Sequence, residues 1–334
     1  MWRRKMAWLM DKTGIQSLIC ATAPWSGVLC LNYHRIGDGR LSVFDRGLWS
    51  ADETGFEQHV RFLKSNFDVV VPSDLTEIRR RATGRYVLLT FDDGYRDNYE
   101  VAFPILKRNG IRAAFFVATG FLDSPRLPWW DEIAWMVRSS TERSIVSSRW
   151  LSAPVLFDEP ERERAVRVFL RAYKAMPGDS NEAFLDHLAE ATGSGRYDSP
   201  EGKAVWMTWP MLREMRAAGM VIGGHTVSHP VLARLTLERQ WEEISRCGQR
   251  LVEEIGEPMR SFSYPVGGLQ SFNDDTRTCL HRAGVEHAFS YYGGYRAPGD
   301  WDKYDVRRIA IESDMTPEWV RAVITLPSVF GRAQ

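Results

Sequence analysis

"YVLLTFDDGYRDN", residues 86–98, joins an unbroken apolar run to two adjacent carboxylates and a glycine. The run predicts a buried strand, because a short apolar stretch of aliphatic and aromatic residues suits a parallel sheet covered on both faces. Asp92 and Asp93 then stand where that strand ends, and Gly94 lets the backbone turn away. Loops at the carboxyl ends of strands carry the reacting groups of parallel α/β folds. This one stretch therefore suggests both a fold class and a place to look for chemistry.

Outward from it, the same grammar recurs: an apolar run closes in small or polar residues and a helical pattern follows. "GVLCLNYHRI" (27–36), "DVVVP" (68–72), "IRAAFFVATG" (111–120), "MVIGGHTVSHP" (220–230), "RSFSYPVGG" (260–268) and "VEHAFSYY" (285–292) read as strands. "FEQHVRFLKSNF" (56–67), "NYEVAFPILKRNG" (98–110), "TWPMLREMRAAG" (208–219) and "DDTRTCLHRAG" (274–284) read as helices. So does "TLERQWEEISRCGQRLVEEIG" (236–256), with Thr236 and Gly256 as its caps. Alternating strands and helices predict a parallel sheet, and this many units predict closure into a (β/α) barrel over residues 27–312. Residues 123–204 break the pattern and are expected to form a mainly helical insertion on one barrel face. Residues 1–26 are read as an N-terminal helical segment and 313–334 as a C-terminal helix and tail.

Bulk properties narrow the function. Lys plus Arg and Asp plus Glu both number 43, so no global field draws the chain to nucleic acid. Cys20, Cys30, Cys247 and Cys279 lack CxxC spacing, which argues against a structural zinc cluster and for ordinary buried thiols. The N-terminal "MWRRKMAWLMDKTGIQSLICATAPW" places basic residues first, but Asp11, Lys12 and Gln16 interrupt what an export signal would keep apolar. It reads as a short amphipathic helix. No stretch approaches the ~18 consecutive apolar residues of a membrane span, and the expected location is the cytoplasm.

Two histidines, His225 and His229, end the predicted fifth strand of this series at i, i+4 spacing. In a helical turn that spacing puts both imidazoles on one face, where they chelate one ion. With a carboxylate they form a three-ligand divalent site with open positions, which polarises a carbonyl and acidifies water. Asp93 is the expected third ligand and Asp92 the general base. Alone, a DDG turn is more often a solvated loop, and an HxxxH pair more often a surface feature or a carbonyl-bonded pair. Their joint position at strand ends in one βα series is what points to a site.

At "TFDDG" (90–94) and "HTVSH" (225–229) the sequence resembles the polysaccharide deacetylases of the NodB-homology group, carbohydrate esterase family 4. The resemblance covers roughly 27–122 and 205–312. It implies a distorted (β/α) barrel and metal-dependent hydrolysis of N-acetyl groups on a sugar polymer, with Asp92 as base and Asp93, His225 and His229 as metal ligands. The family's third motif departs here to "SYPV" (263–266). Ser263 stands where arginine is common, and the Val266 N–H takes the oxyanion-donor position. Arg308, in "DVRRIAIE" (305–312), is the expected source of the missing charge beside Asp92. The family's L-x-H motif has no clear counterpart. His34 in "NYHRI" is read as the general acid, its Y-H-R pattern resembling exopolysaccharide deacetylases of the poly-N-acetylglucosamine type; a buried structural histidine is the other reading. Tyr264 and Trp130 are the expected sugar contacts, while packing is the alternative for Trp129, Trp130 and Trp135.

The expected function is deacetylation of an N-acetylhexosamine-type glycan or glycan precursor, with a divalent metal as cofactor: zinc, or else cobalt, nickel or manganese. The partner is an acetylated glycan. Three rivals stay open: a ferrous oxygenase, which shares the two-histidine, one-carboxylate donor set; a glycan-binding barrel disabled by Ser263 and the absent L-x-H motif; and an amidase acting on a non-sugar amide.

Overall fold

The computed structural model describes residues 2–331 apart from 23–24, 81–82, 147–149, 159–160 and 300. Its main sheet has eight strands, all parallel: β1 (Gly27–Tyr33), β2 (Asp68–Val70), β3 (Arg85–Phe91), β4 (Ala114–Val117), β5 (Val221–Gly224), β6 (Ser261–Ser263), β7 (His287–Phe289) and β8 (Arg308–Ala310). Their order is β7–β6–β5–β4–β3–β1–β8, with β2 along the first half of β3. The chain just before β8 meets β7, where Val306 N–H donates to Ala288 O and Ser290 N–H to Val306 O. The ring is thus a nearly closed, distorted (β/α) barrel, as the alternating pattern predicts.

Period-two alternation explains what each strand buries. On β1 and β3, Val28, Cys30, Tyr86 and Leu88 join Ala114, Phe116, Phe289 and Val306 in a core enclosed by the barrel. Leu29, Leu31, Tyr33, Val87, Leu89 and Phe91 face the other way, into the core shared with the surrounding helices. Each such fully buried aliphatic or aromatic side chain is worth roughly 1.5–3 kcal/mol of transfer free energy. Thr90 and then Asp92 continue the inward series of β3. The same alternation that buries Leu88 aims Asp92 at the barrel mouth.

Helices Glu53–Asn66, Phe103–Asn109, Trp209–Ala217, Leu237–Ile255 and Asp274–Arg282 cover the outer face. The longest begins where the Thr236 side chain accepts from Arg239 N–H, a cap worth about 1 kcal/mol, and ends at Gly256 with φ 81°. Residues 123–204 form helices Trp129–Ser139, Arg162–Ala175 and Asn181–Ala191 with a short antiparallel ribbon, Ser144–Ile145 on Val155–Leu156. They enclose a core of their own, which reaches the barrel through Tyr95, Phe121 and Trp206.

At the chain ends, helices Trp2–Lys12 and Pro317–Thr325 pack together through Ala7, Met10, Ala322 and Val323. Met1 and residues 23–24 of the N-terminal segment, and 332–334 of the tail, lie outside the described residues. All four cysteines are buried thiols. Among the described residues no helix is long and apolar enough to cross a membrane.

Candidate active site

The carboxyl ends of β1, β3, β5 and β6 converge on a pocket of about 260 Å³ whose lining includes His34, Asp92, Asp93, His225, His229 and Val266. Asp93, His225 and His229 come together as the sequence predicts. His225 Nε2 and His229 Nε2 each lie 3.3 Å from Asp93 Oδ1, and all three side chains are buried. Neither contact has hydrogen-bond geometry, so Asp93 Oδ1 is a buried acceptor without a donor. Two ligand atoms each about 2.0 Å from one tetrahedral ion lie roughly 3.3 Å apart. The three residues therefore fit a divalent cation, in donor type and in spacing.

The route to this geometry differs from the expected one. The four-residue spacing of His225 and His229 suggests a helical turn; the structure has an irregular loop, with positive φ at Thr226 (67°) and His229 (59°). The Thr226 hydroxyl accepts from His229 N–H at 2.9 Å. Glu243, on the helix behind, accepts from the N–H groups of Val227 and Ser228, both at 2.9 Å, and from the Ser228 hydroxyl at 2.6 Å. Glu243 was invisible to sequence reasoning, because nothing in a charged helical run marks the one carboxylate that turns inward. His225 Nδ1 lies 2.7 Å from Ser263 O. A carbonyl only accepts, so Nδ1 carries the proton and the Nε2 lone pair faces Asp93.

Asp92 occupies a different environment one residue away. Arg308 meets it in a two-pronged ion pair, and Oδ2 also accepts from Ser263 Oγ at 3.1 Å and Asn32 Nδ2 at 3.2 Å. The expected charge is thus in place. Ser263, where arginine is common in the resembled family, bridges the pair by also accepting from Arg308 Nη2 at 2.8 Å. Burial pushes the Asp92 carboxyl up, but the Arg308 guanidinium, followed by His225, outweighs it and holds Asp92 below its ordinary value. Burial opposes the charged form of both imidazoles; it drives His229 down, whereas Asp93 and Asp92 outweigh it and draw His225 up.

Val266 follows β6 in a left-handed conformation, φ 63°, strained for a β-branched residue. Among the described residues its N–H donates to no protein acceptor. His34 stands at the end of β1 with its ring edge-on to Tyr291, centroids 5.4 Å apart, and is only partly buried.

The two expected sugar contacts, Tyr264 and Trp130, are among the residues lining the pocket, and both are buried. Tyr264 points into the core: its ring stacks on Phe272 with centroids 4.0 Å apart, and its hydroxyl donates to Tyr304 O. Trp130 is 4% exposed, with its indole N–H on Tyr95 Oη at 2.7 Å and its ring 4.4 Å from that of His229. It is a wall for the imidazole instead of an open platform. The insertion contributes lining that spacing could not reveal: Arg167, Leu170 and Lys174, on one face of helix Arg162–Ala175, roof the pocket.

A sequence profile described as Polysaccharide deacetylase matches residues 79–162 and 182–288. The Bacillus subtilis (strain 168) protein YxkH, named for the same activity, is 36% identical over 92 residues, 26% of this chain and 30% of that protein. The match thus spans under a third of that relative's length. Among solved structures, the Streptococcus pyogenes deacetylase PplD, in complex with acetate, superposes with a TM-score of 0.59 at 18% identity, over 91% of this chain and 98% of that one. IcaB from Ammonifex degensii superposes with a TM-score of 0.55 at 21% identity, over 90% and 97%.

Proposed function

The chain belongs to the polysaccharide deacetylase family, and we propose that it is a metal-dependent hydrolase removing N-acetyl groups from an N-acetylhexosamine-type glycan or glycan precursor. One observation carries this reading: a buried Asp93–His225–His229 triad with ion-chelating spacing shares a pocket with an aspartate that Arg308 keeps ionised.

Asp93 Oδ1, His225 Nε2 and His229 Nε2 would hold the cation, zinc by preference with cobalt, nickel or manganese as substitutes, and when bound it supplies a Lewis acid for the acetamide carbonyl and for water. Asp92 takes the proton of the attacking water. Its Oδ2 already accepts from three donors and Oδ1 from one, so Oδ1 is the receiving atom. The Val266 N–H donates to the oxygen on which negative charge grows, and its fixed orientation needs no reorganisation during the reaction. His34 delivers a proton to the departing nitrogen as the C–N bond breaks. The water oxygen ends in acetate and the sugar leaves as an amine.

The other readings are weighed by the same groups. A disabled glycan binder is suggested by Ser263 in place of arginine and by the absent L-x-H motif; Arg308, supplying that guanidinium from β8, speaks against the first ground. A ferrous oxygenase has no use for a second carboxylate held ionised beside the ligand. The test is acetate release from N- and O-acetylated glycans, with and without chelator, by wild type and Asp92→Asn. Acetate from N-acetylglucosamine oligomers, lost on chelation and reduced at least 100-fold in the variant, supports the proposal. Release that survives both treatments overturns the mechanism, and acetate from no glycan overturns the substrate class.

A further inference from the structure

The N-terminal helix buries one side and leaves an unusual opposite side. Helix Trp2–Lys12 sets Met6, Ala7 and Met10 against helix Pro317–Thr325. At 100° per residue, Lys5, Trp8 and Lys12 fall on the opposite face, flanked by Arg4, Leu9 and Trp2. Trp2 is 63% exposed, Trp8 51% and Leu9 55%; in the next helix, Ile15–Ala21, Ile15 and Leu18 are 47% and 67% exposed. Of the chain's 13 tryptophans, only Trp2 and Trp8 are exposed among the described residues, and every other one is at least partly buried.

We propose that this outer face of the N-terminal helix pair is a surface anchor for bilayers containing anionic lipid. Two features select that occupant. Lys5 and Lys12 make no ion pair among the described residues, and they lie between the apolar side chains on the same face. A protein–protein interface core is depleted in lysine, whereas a helix lying in a membrane interface combines tryptophan and leucine with lysine and arginine. The anchor fits a chain whose described helices are too short and polar to span a bilayer. It also sits near the working end of the barrel. Arg3 and Arg4 line a cavity of about 370 Å³ together with Tyr291, and Tyr291 also lines the active-site pocket.

The test is co-sedimentation of the full chain with vesicles of pure phosphatidylcholine or of phosphatidylcholine mixed with phosphatidylglycerol. Binding is expected to the anionic vesicles alone, with release at 0.5 M salt as screening removes the lysine contribution, and with a blue shift of tryptophan fluorescence. Trp8→Glu, and separately Leu18→Glu, are expected to lower the vesicle partition coefficient at least tenfold. Both should leave hydrolysis of a soluble substrate and the melting temperature unchanged. Lys5→Gln with Lys12→Gln is expected to lower it several-fold without altering the apolar face. The proposal is overturned if the wild type stays in the supernatant with anionic vesicles, or if both glutamate variants sediment as the wild type does. It is equally overturned if light scattering shows a vesicle-independent dimer that Trp8→Glu dissolves, since the face would then be covered by a second copy.

Discussion

Arg308 grips Asp92 with both prongs of its guanidinium, Nη1 to Oδ1 and Nη2 to Oδ2, each at 2.8 Å, and both side chains are essentially solvent-free. The two residues are 216 positions apart, brought together because β8 pairs with β1, the strand beside β3. In Arg308→Gln the burial that opposes ionisation of Asp92 loses its main counterweight. The carboxyl therefore rises, and the acid limb of the kcat/KM profile is expected to move to higher pH. Breaking a buried pair also costs about 3–5 kcal/mol of stability. Affinity for added zinc, set by Asp93, His225 and His229, is expected to stay near wild type. An acid limb at its original pH in a folded Arg308→Gln protein would mean that Asp92 is not the titrating base.

Glu243 ties down the loop between the two histidines through three hydrogen bonds. Glu243→Ala removes the acceptor for two N–H groups, which costs about 1–3 kcal/mol if water does not replace it. The histidines lose their support, and loss of such an outer contact typically lowers metal affinity 10–100-fold. Calorimetric zinc titration of Glu243→Ala should show that loss. An unchanged zinc affinity would make Glu243 a fold residue only.

What could be read from the chain follows from how local the signal is. The barrel was legible because each strand is a short apolar run that ends in polar residues, and Asp92–Asp93 and His225–His229 because each pair is contiguous or nearly so. The conformation between the histidines was not. Four-residue spacing is shared by a helical turn and by this loop, and only the left-handed backbone at Thr226 and His229 separates them. The ring directions of Tyr264 and Trp130 were not legible for a related reason: a residue beside a site in sequence still has two sides to choose from, and here Phe272 and His229 claim them. Glu243 and the roof formed by Arg167, Leu170 and Lys174 depend on packing between elements, which no spacing encodes.

Strain marks the same place. Among the described residues, the non-glycine residues at positive φ are Asp93, Thr226, His229 and Val266, and every one belongs to the site. Such conformations cost on the order of 1–3 kcal/mol each and persist only when surroundings impose them. Val266→Gly removes the β-branched penalty while keeping the N–H that the proposed reaction uses. Its kcat/KM is expected to stay within about threefold of wild type, with stability equal or slightly raised. A 100-fold loss in this variant would show that the isopropyl group, rather than the backbone donor, is what the reaction needs.

Asp131 offers a pH test behind the site. It is fully buried at the start of helix Trp129–Ser139, accepting from Asp45 N–H at 2.9 Å and from the Tyr95 hydroxyl at 2.8 Å. Tyr95 in turn receives the Trp130 indole N–H, and Trp130 packs on His229. Burial, opposed by Arg35 and reinforced by Asp45, pushes the Asp131 carboxyl from 3.8 up to about 7. The sign follows from linkage: below 3.8 the group is protonated in folded and unfolded chains alike, so it exacts no penalty. Between 3.8 and about 7 the unfolded chain ionises first, so stability is lost as pH rises, levelling off above 7. That gap corresponds to a loss on the order of 4 kcal/mol. In Asp131→Asn this contribution vanishes. The fall in unfolding free energy between pH 4.5 and pH 8, measured by denaturant titration, is expected to be smaller in the variant by a few kcal/mol. The readout is a slope, so any cost of the amide's altered hydrogen bonding, being the same at every pH, cancels. Parallel curves for the two proteins would place Asp131 ionised in the folded chain and contradict the environment described.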